Sequence, residues 1–260
     1  MKRQLEWQDM EVGLFIHFNM ETYAPDWNYR SFKDYPDPNL FNPVSLDTDQ
    51  WMHAAKAIGA KYAVLVAKHC SGFCIWPTDQ YEYSVKQSKW QDGRGDVVAD
   101  FVRSCSKYGI KPGLYVSYWT NSFLKVDRGE VISKPEEQQR YNDIFLELLR
   151  ELLGNYGELA EIWFDGGISE KGPDIGPLLR ELQPNAAVFQ GGEYSTIRWV
   201  GNEDGVAPYP FWNAVPRDQL PLYAAGLVWE GASPRAHTDG IGEVWSPGEC
   251  DTTMRSHHWF

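Results

Sequence analysis

No run of apolar residues approaches the ~20 that a membrane-crossing helix needs, and the opening Met1-Lys2-Arg3-Gln4-Leu5-Glu6 lacks an apolar signal core. Together these absences set the expectation of a soluble, cytoplasmic protein. Cysteine is sparse: Cys70, Cys74, Cys105 and Cys250 form no zinc-type pairing and no regular framework. Free thiols in a reducing compartment are expected. The pair Cys70 and Cys74 lacks the two further ligands of a tetrahedral metal site, so no metal is expected there. Positive charge is also short, with 24 Lys and Arg against 36 Asp and Glu, a net charge of -12. That balance repels the phosphates of nucleic acid and an anionic membrane surface, and leaves a neutral substrate as the natural inference. No linker rich in Pro, Gly or Ser, no internal repeat and no dinucleotide fingerprint interrupts the chain, and no cofactor is expected.

What remains is an ordinary globular mixture of 260 residues, 43% apolar, with an aromatic share of 15% that includes 12 Trp. A barrel of strand-helix units runs to about 250 residues as one domain, so residues 1–260 are expected to form a single catalytic barrel domain. Short β-type runs over residues 12–18, 62–67, 111–117, 161–164 and 187–190 alternate with helical patterns over 47–58, 97–108, 135–153 and 176–182. Gly59, Gly109 and Gly154 stand where helices stop. Successive strand-helix units predict an α/β fold with a parallel sheet, closed as a (β/α)8-like, TIM-type barrel. After Gly191 the periodicity fades, leaving 198–200 and 242–245 as short strand candidates. The final units are therefore abbreviated, or closure is completed by another subunit.

In such a barrel the active site lies at the C-terminal ends of the strands, where polar residues following apolar runs collect. The first strand delivers His17, the second Lys68 and His69, the third Tyr115, Ser117 and Tyr118, and the fourth Asp165. Asp165 follows Ile162-Trp163-Phe164 and precedes Gly166-Gly167, which puts a carboxylate at a strand tip beside backbone that a ligand can approach. A carboxylate that acts as a nucleophile needs a second carboxyl group nearby to serve as acid and then base. Glu193, Glu203 and Glu249 lie beyond the strand-helix units and are the candidates. Trp51, Trp76 and Trp119 are candidates to line a sugar pocket, because pyranose C–H faces stack on aromatic rings; each reads equally as a core aromatic.

The segments Gly13-Leu14-Phe15-Ile16-His17-Phe18, Ala60-Lys61-Tyr62-Ala63-Val64-Leu65-Val66-Ala67-Lys68-His69, Gly72-Phe73-Cys74-Ile75-Trp76, Tyr83-Ser84-Val85 and Gly113-Leu114-Tyr115-Val116-Ser117 resemble the α-L-fucosidases of glycoside hydrolase family 29. So do Asn155-Tyr156-Gly157 and Ile162-Trp163-Phe164-Asp165-Gly166, all in the family's order. The resemblance implies a barrel-type catalytic domain, retention of anomeric configuration, no metal, and an Asp nucleophile at Asp165. It implies that His17 and His69 hold fucose hydroxyls and that Tyr115 lies in the strand supplying a site tyrosine. The sequence departs at Cys70, where the family usually carries a second histidine.

The later segments Ile197-Arg198-Trp199-Val200-Gly201-Asn202-Glu203 and Glu243-Val244-Trp245-Ser246-Pro247-Gly248-Glu249-Cys250-Asp251 resemble the branch preferring α-1,3/1,4-linked fucose. That likeness implies Glu203 as acid/base, with Glu249 second, and adds Arg198 to the substrate-binding candidates. Family members continue past the positions matching His258-Trp259-Phe260 into the end of the barrel and a β-sandwich. A minimal chain is therefore expected to work as a homo-oligomer, with residues 209–245 at the contact. The expected activity is hydrolysis of terminal α-L-fucosyl residues from oligosaccharides or glycoconjugates. A retaining glycosidase for another sugar such as galactose, or an inactive fucose-binding protein, stays open.

Overall fold

The computed structural model describes residues 2–28, 32, 34–201, 203, 205–207, 213–216, 243–254 and 259–260. The chain begins with α1 (Lys2–Gln8) and β1 (Gly13–Ile16), followed by α2 (Thr48–Ala57), β2 (Tyr62–Lys68), α3 (Val97–Tyr108) and β3 (Lys111–Val116). A two-residue-stranded hairpin, β4 (Val126–Asp127) with β5 (Glu130–Val131), precedes α4 (Gln138–Asn155), β6 (Glu161–Trp163), α5 (Gly176–Leu182) and β7 (Ala187–Phe189). Side chains fix the starts of two helices by taking up otherwise orphaned amides: Asp47 accepts from Gln50 ahead of α2, and Asp96 from Ala99 ahead of α3. Gly109 ends α3 in the left-handed region at φ 68°, which costs a glycine no Cβ clash. The long helix departs from the expected 135–153. Residues Pro135–Glu137 form a separate 3-10 turn, and α4 runs through Gly154 to Asn155.

Strands β1, β2, β3, β6 and β7 form one five-stranded sheet in chain order, every pairing parallel. Alternation divides their side chains between two faces. Ala63, Leu65, Ala67, Leu114, Val116, Ile162 and Val188 join the helices in the larger core. Tyr62, Val64, Val66, Tyr115, Trp163, Ala187 and Phe189 point the other way, into a second core with Trp7 and Met10. Since β2 is buried on both faces along its whole length, the sheet lies inside the molecule. Each large apolar side chain it buries contributes about 1.5–3 kcal/mol.

Beyond β7 the chain stays on the sheet, with the amides of Thr196 and Ile197 donating to the Val188 carbonyl. Strand β8 (Arg198–Trp199) pairs in parallel with β11 (Gly248–Glu249), and β9 (Ala214–Pro216) pairs antiparallel with β10 (Glu243–Trp245). The expected strands at 198–200 and 242–245 correspond to β8 and β10, while Gly242 and most of 209–245 lie outside the described residues. Strand-helix alternation and a parallel sheet are thus as expected; among the described residues the parallel sheet has five strands, not eight. No described helix is long and apolar enough to cross a membrane.

Candidate active site

Four side chains converge above the inner face of the sheet. His17 and Asp165 each lie two residues beyond an inward aromatic, Phe15 and Trp163, and inherit its side of the strand. Tyr115, at the end of β3, donates its hydroxyl to Asp165 Oδ2 at 2.6 Å. His69 would face the helices by strict alternation with Ala67. A register shift between Val66 and Lys68 where β2 meets β3 reverses the parity. The Asn19 side-chain amide donates to the Val66 and Ala67 carbonyls, both at 3.2 Å, and holds the irregular stretch. His69 thereby stacks on Tyr115, with ring centroids 5.8 Å apart, and its ring lies 6.3 Å from that of His17.

An apolar floor supports this cluster. Trp163 stacks on Phe189 at 4.0 Å and on Tyr115 at 5.3 Å, and Phe15 lies 5.1 Å from Trp163. Burial of that kind strengthens every charge interaction above it. His69 Nδ1 lies 2.9 Å from Glu21 Oε1, which also accepts the Ser71 amide at 3.0 Å. Burial opposes charge on both partners, but Glu21 and Cys70 together hold the His69 proton on, raising its pKa well above the ordinary value. In turn the His69 charge and the bonds it receives bring Glu21 below the usual carboxylate range. Burial, followed by the neighbouring His69 charge, pushes His17 down to about 3. Burial and the adjacent Asp165 charge push the Tyr115 phenol well up. At neutral pH Asp165 therefore has a neutral phenol donor, an imidazolium and a neutral imidazole around it.

The remaining candidates separate. Glu203 occupies an exposed turn. It nevertheless interacts with Asp251, which burial and the charges of Glu203 and Asp165 raise to about 6 against a 2.7 Å bond from the Trp199 indole. Asp251 thus feels the charge of both carboxylates and is a residue sequence reasoning missed; its signal was a second acid within the Glu249-Cys250-Asp251 run. Glu249 is half-buried, and its carboxyl lies in the interior beside that of Glu161, the first residue of β6. Asp165 lies four residues further along, roughly 13 Å at the strand rise, so Glu249 sits at the opposite end of that strand. Glu193 is exposed on a 3-10 turn.

Trp119 packs against Gly166, where an added Cβ would stand 2.4 Å from its ring, and so borders Asp165. Trp51 and Trp76 do not join the cluster. Both belong to the helix-side core, with Trp51 against Phe18 at 5.2 Å and the Trp76 indole donating to Glu151 at 2.8 Å. Tyr118 points toward α4, donating to Asn142 at 2.9 Å, and Lys68 is buried with its ammonium on the Ser117 carbonyl. Arg198 is buried in β8 and donates to the Ser246 carbonyl at 3.3 Å. Two aromatics absent from the sequence-based set pack against the cluster: Trp259 lies 4.8 Å from His17, and Phe260 lies 4.9 Å from His69. All four cysteines are free thiols, and only Cys250 is exposed.

The family model for α-L-fucosidase matches residues 2–198. The chain is 36% identical to α-L-fucosidase 1 of Arabidopsis thaliana over 272 residues, covering 99% of this chain and 49% of the plant protein. A candidate α-L-fucosidase from Bacteroides thetaiotaomicron superposes with a TM-score of 0.85 at 35% identity, covering 100% of this chain and 61% of its own. A glycoside hydrolase 29 family member from an unknown rumen bacterium gives a TM-score of 0.75 at 34% identity, over 97% of this chain and 45% of that one. The chain spans about half the length of the plant relatives it matches. Its strand-helix order, the polar cluster at the strand tips and these likenesses agree: the chain belongs to the α-L-fucosidase family, glycoside hydrolase family 29.

Proposed function

We propose that this chain carries the catalytic domain of a retaining α-L-fucosidase that releases terminal α-L-fucosyl residues through a covalent fucosyl-Asp165 intermediate. The observation that carries the reading is the 2.6 Å bond from Tyr115 to Asp165 at the tip of β6, in a chain of this family. That single donor orients the carboxylate and leaves its other oxygen for attack on the anomeric carbon. Glu203 protonates the departing oxygen and then activates water. His17, neutral, and His69, fixed by Glu21, offer donors and acceptors to sugar hydroxyls, and Trp119, Trp259 and Phe260 offer apolar faces.

The same proposal extends to the fold. The strand order β1-β2-β3-β6-β7 never reverses, so the sheet has no switch point of the open doubly wound type. Helices α2, α3, α4 and α5 pack on one face and a separate, largely aromatic core that includes Trp7 of α1 fills the other, as in a closed (β/α)8 barrel with a packed interior. The test is Asp165→Asn, which keeps shape and removes the nucleophilic anion. Turnover of an aryl fucoside should fall by about three orders of magnitude or more with the fold intact, and azide should restore activity with inverted product. Near-normal turnover by the variant would overturn the assignment.

A further inference from the structure

The departure at Cys70 places a soft ligand where the mechanism above has no use for one. An imidazole nitrogen of His69, the thiol of Cys70 and a carboxylate oxygen of Asp165 lie within 4.8 Å of one another. Sγ of Cys70 stands 4.0 Å from Nε2 of His69, the nitrogen left over once Nδ1 is engaged by Glu21 at 2.9 Å. A metal-binding histidine is usually held in this way, its second nitrogen tied to a carboxylate that fixes the ring and raises its basicity. Glu21 is itself anchored by the Ser71 amide at 3.0 Å, and Tyr115 anchors Asp165 at 2.6 Å through one oxygen. His69 and Asp165 therefore each have an outer partner already in place.

From this arrangement we infer that the active site is also a binding site for a thiophilic divalent cation, zinc in particular, held by His69 Nε2, Cys70 Sγ and Asp165. Zinc bonds of about 2.0–2.3 Å in a tetrahedron separate ligand atoms by roughly 3.5 Å, so the cluster closes by side-chain rotation. Three protein ligands leave the fourth position to water. Binding sends the protons on Cys70 Sγ and His69 Nε2 to solvent and changes no oxidation state. A thiolate with imidazole and carboxylate favours zinc over magnesium or calcium. Because the ion takes Asp165, zinc would act as a reversible inhibitor competing with substrate. This last step rests on the nucleophile assignment, whereas the binding does not.

Cobalt(II) is the probe, since a thiolate ligand gives it a near-ultraviolet charge-transfer band. Titration of the chain at neutral pH should yield that band at a stoichiometry of one, displaced by zinc and not by magnesium. Cys70→Ser should abolish the band and Cys250→Ser should keep it. Glu21→Gln should weaken cobalt binding by about 10–100-fold, the usual effect of losing an outer partner. Each variant is checked for the wild-type circular dichroism spectrum, and Cys70→Ala replaces Cys70→Ser if that variant misfolds. No band with wild type at millimolar cobalt, or a band that survives loss of the Cys70 thiol, overturns the proposal. A band in a chain that turns over no fucoside would refute the enzyme reading and leave the metal site standing.

Discussion

At the scale of single residues, position along a strand decides chemistry. Asp165, His17 and Tyr115 were legible in the sequence because each keeps the parity of an inward aromatic or is one, so two-residue alternation carries them to the same face. Glu203 illustrates how role and burial part company. It is exposed, yet its charge, like that of Asp165, acts on Asp251. If it is the acid/base, Glu203→Gln should lower kcat/KM on a natural fucosylated oligosaccharide by about 100-fold or more. On an aryl fucoside whose leaving group needs no proton the loss should stay below about tenfold, and equal small losses on both substrates would remove the role from Glu203. Gly166 is the other sensitive position. Its φ of 71° and the 2.4 Å approach of the Trp119 ring leave no space for a methyl group. Gly166→Ala should cost about 1–2 kcal/mol in backbone strain alone, read from urea unfolding, and should shift Asp165 enough to depress turnover as well.

At the scale of elements, helices and strands were read from periodicity nearly to their ends, while the features that aim His69 were not. The register shift in β2 arises from a hydrogen-bond pattern between β2, β3 and Asn19, three segments that no local pattern connects. The same blindness put Glu249 among the acid/base candidates. Only the folded chain brings it beside Glu161, 88 residues earlier in the sequence. Burial raises the pKa of both acids of this pair above the ordinary carboxyl value, and mutual repulsion adds to it for Glu249. Their contribution to stability is therefore complete below the unfolded carboxyl pKa, near pH 4, and is lost as the pH rises through the folded values. Glu249→Gln removes that loss, because an amide can donate to the Glu161 carboxylate without ionising. Chemical denaturation should show the variant measurably more stable than wild type at pH 8 and equal to it at pH 4. An unchanged difference across that range would mean that the two acids do not share a proton.

For the whole molecule, the architecture gathers the candidate site at one end of the sheet. A sheet whose strands follow chain order lines up its C-terminal tips, an aromatic layer of Phe15, Tyr115, Trp163 and Phe189 supports them from beneath, and Asp165 stands above it between a phenol and an imidazolium. Trp259 and Phe260 reach this cluster from the far end of the chain, a juxtaposition that composition and spacing could not reveal. The central claim is the covalent fucosyl-Asp165 intermediate. It is tested most directly by exposing the protein to a fucoside with a good leaving group and fluorine at C2, then digesting it and locating the added mass by mass spectrometry. The account predicts one 2-fluorofucosyl group per chain, on the peptide that holds Asp165 and on that carboxylate. A label on any other residue, or continued turnover of an ordinary fucoside with no label anywhere, would contradict it.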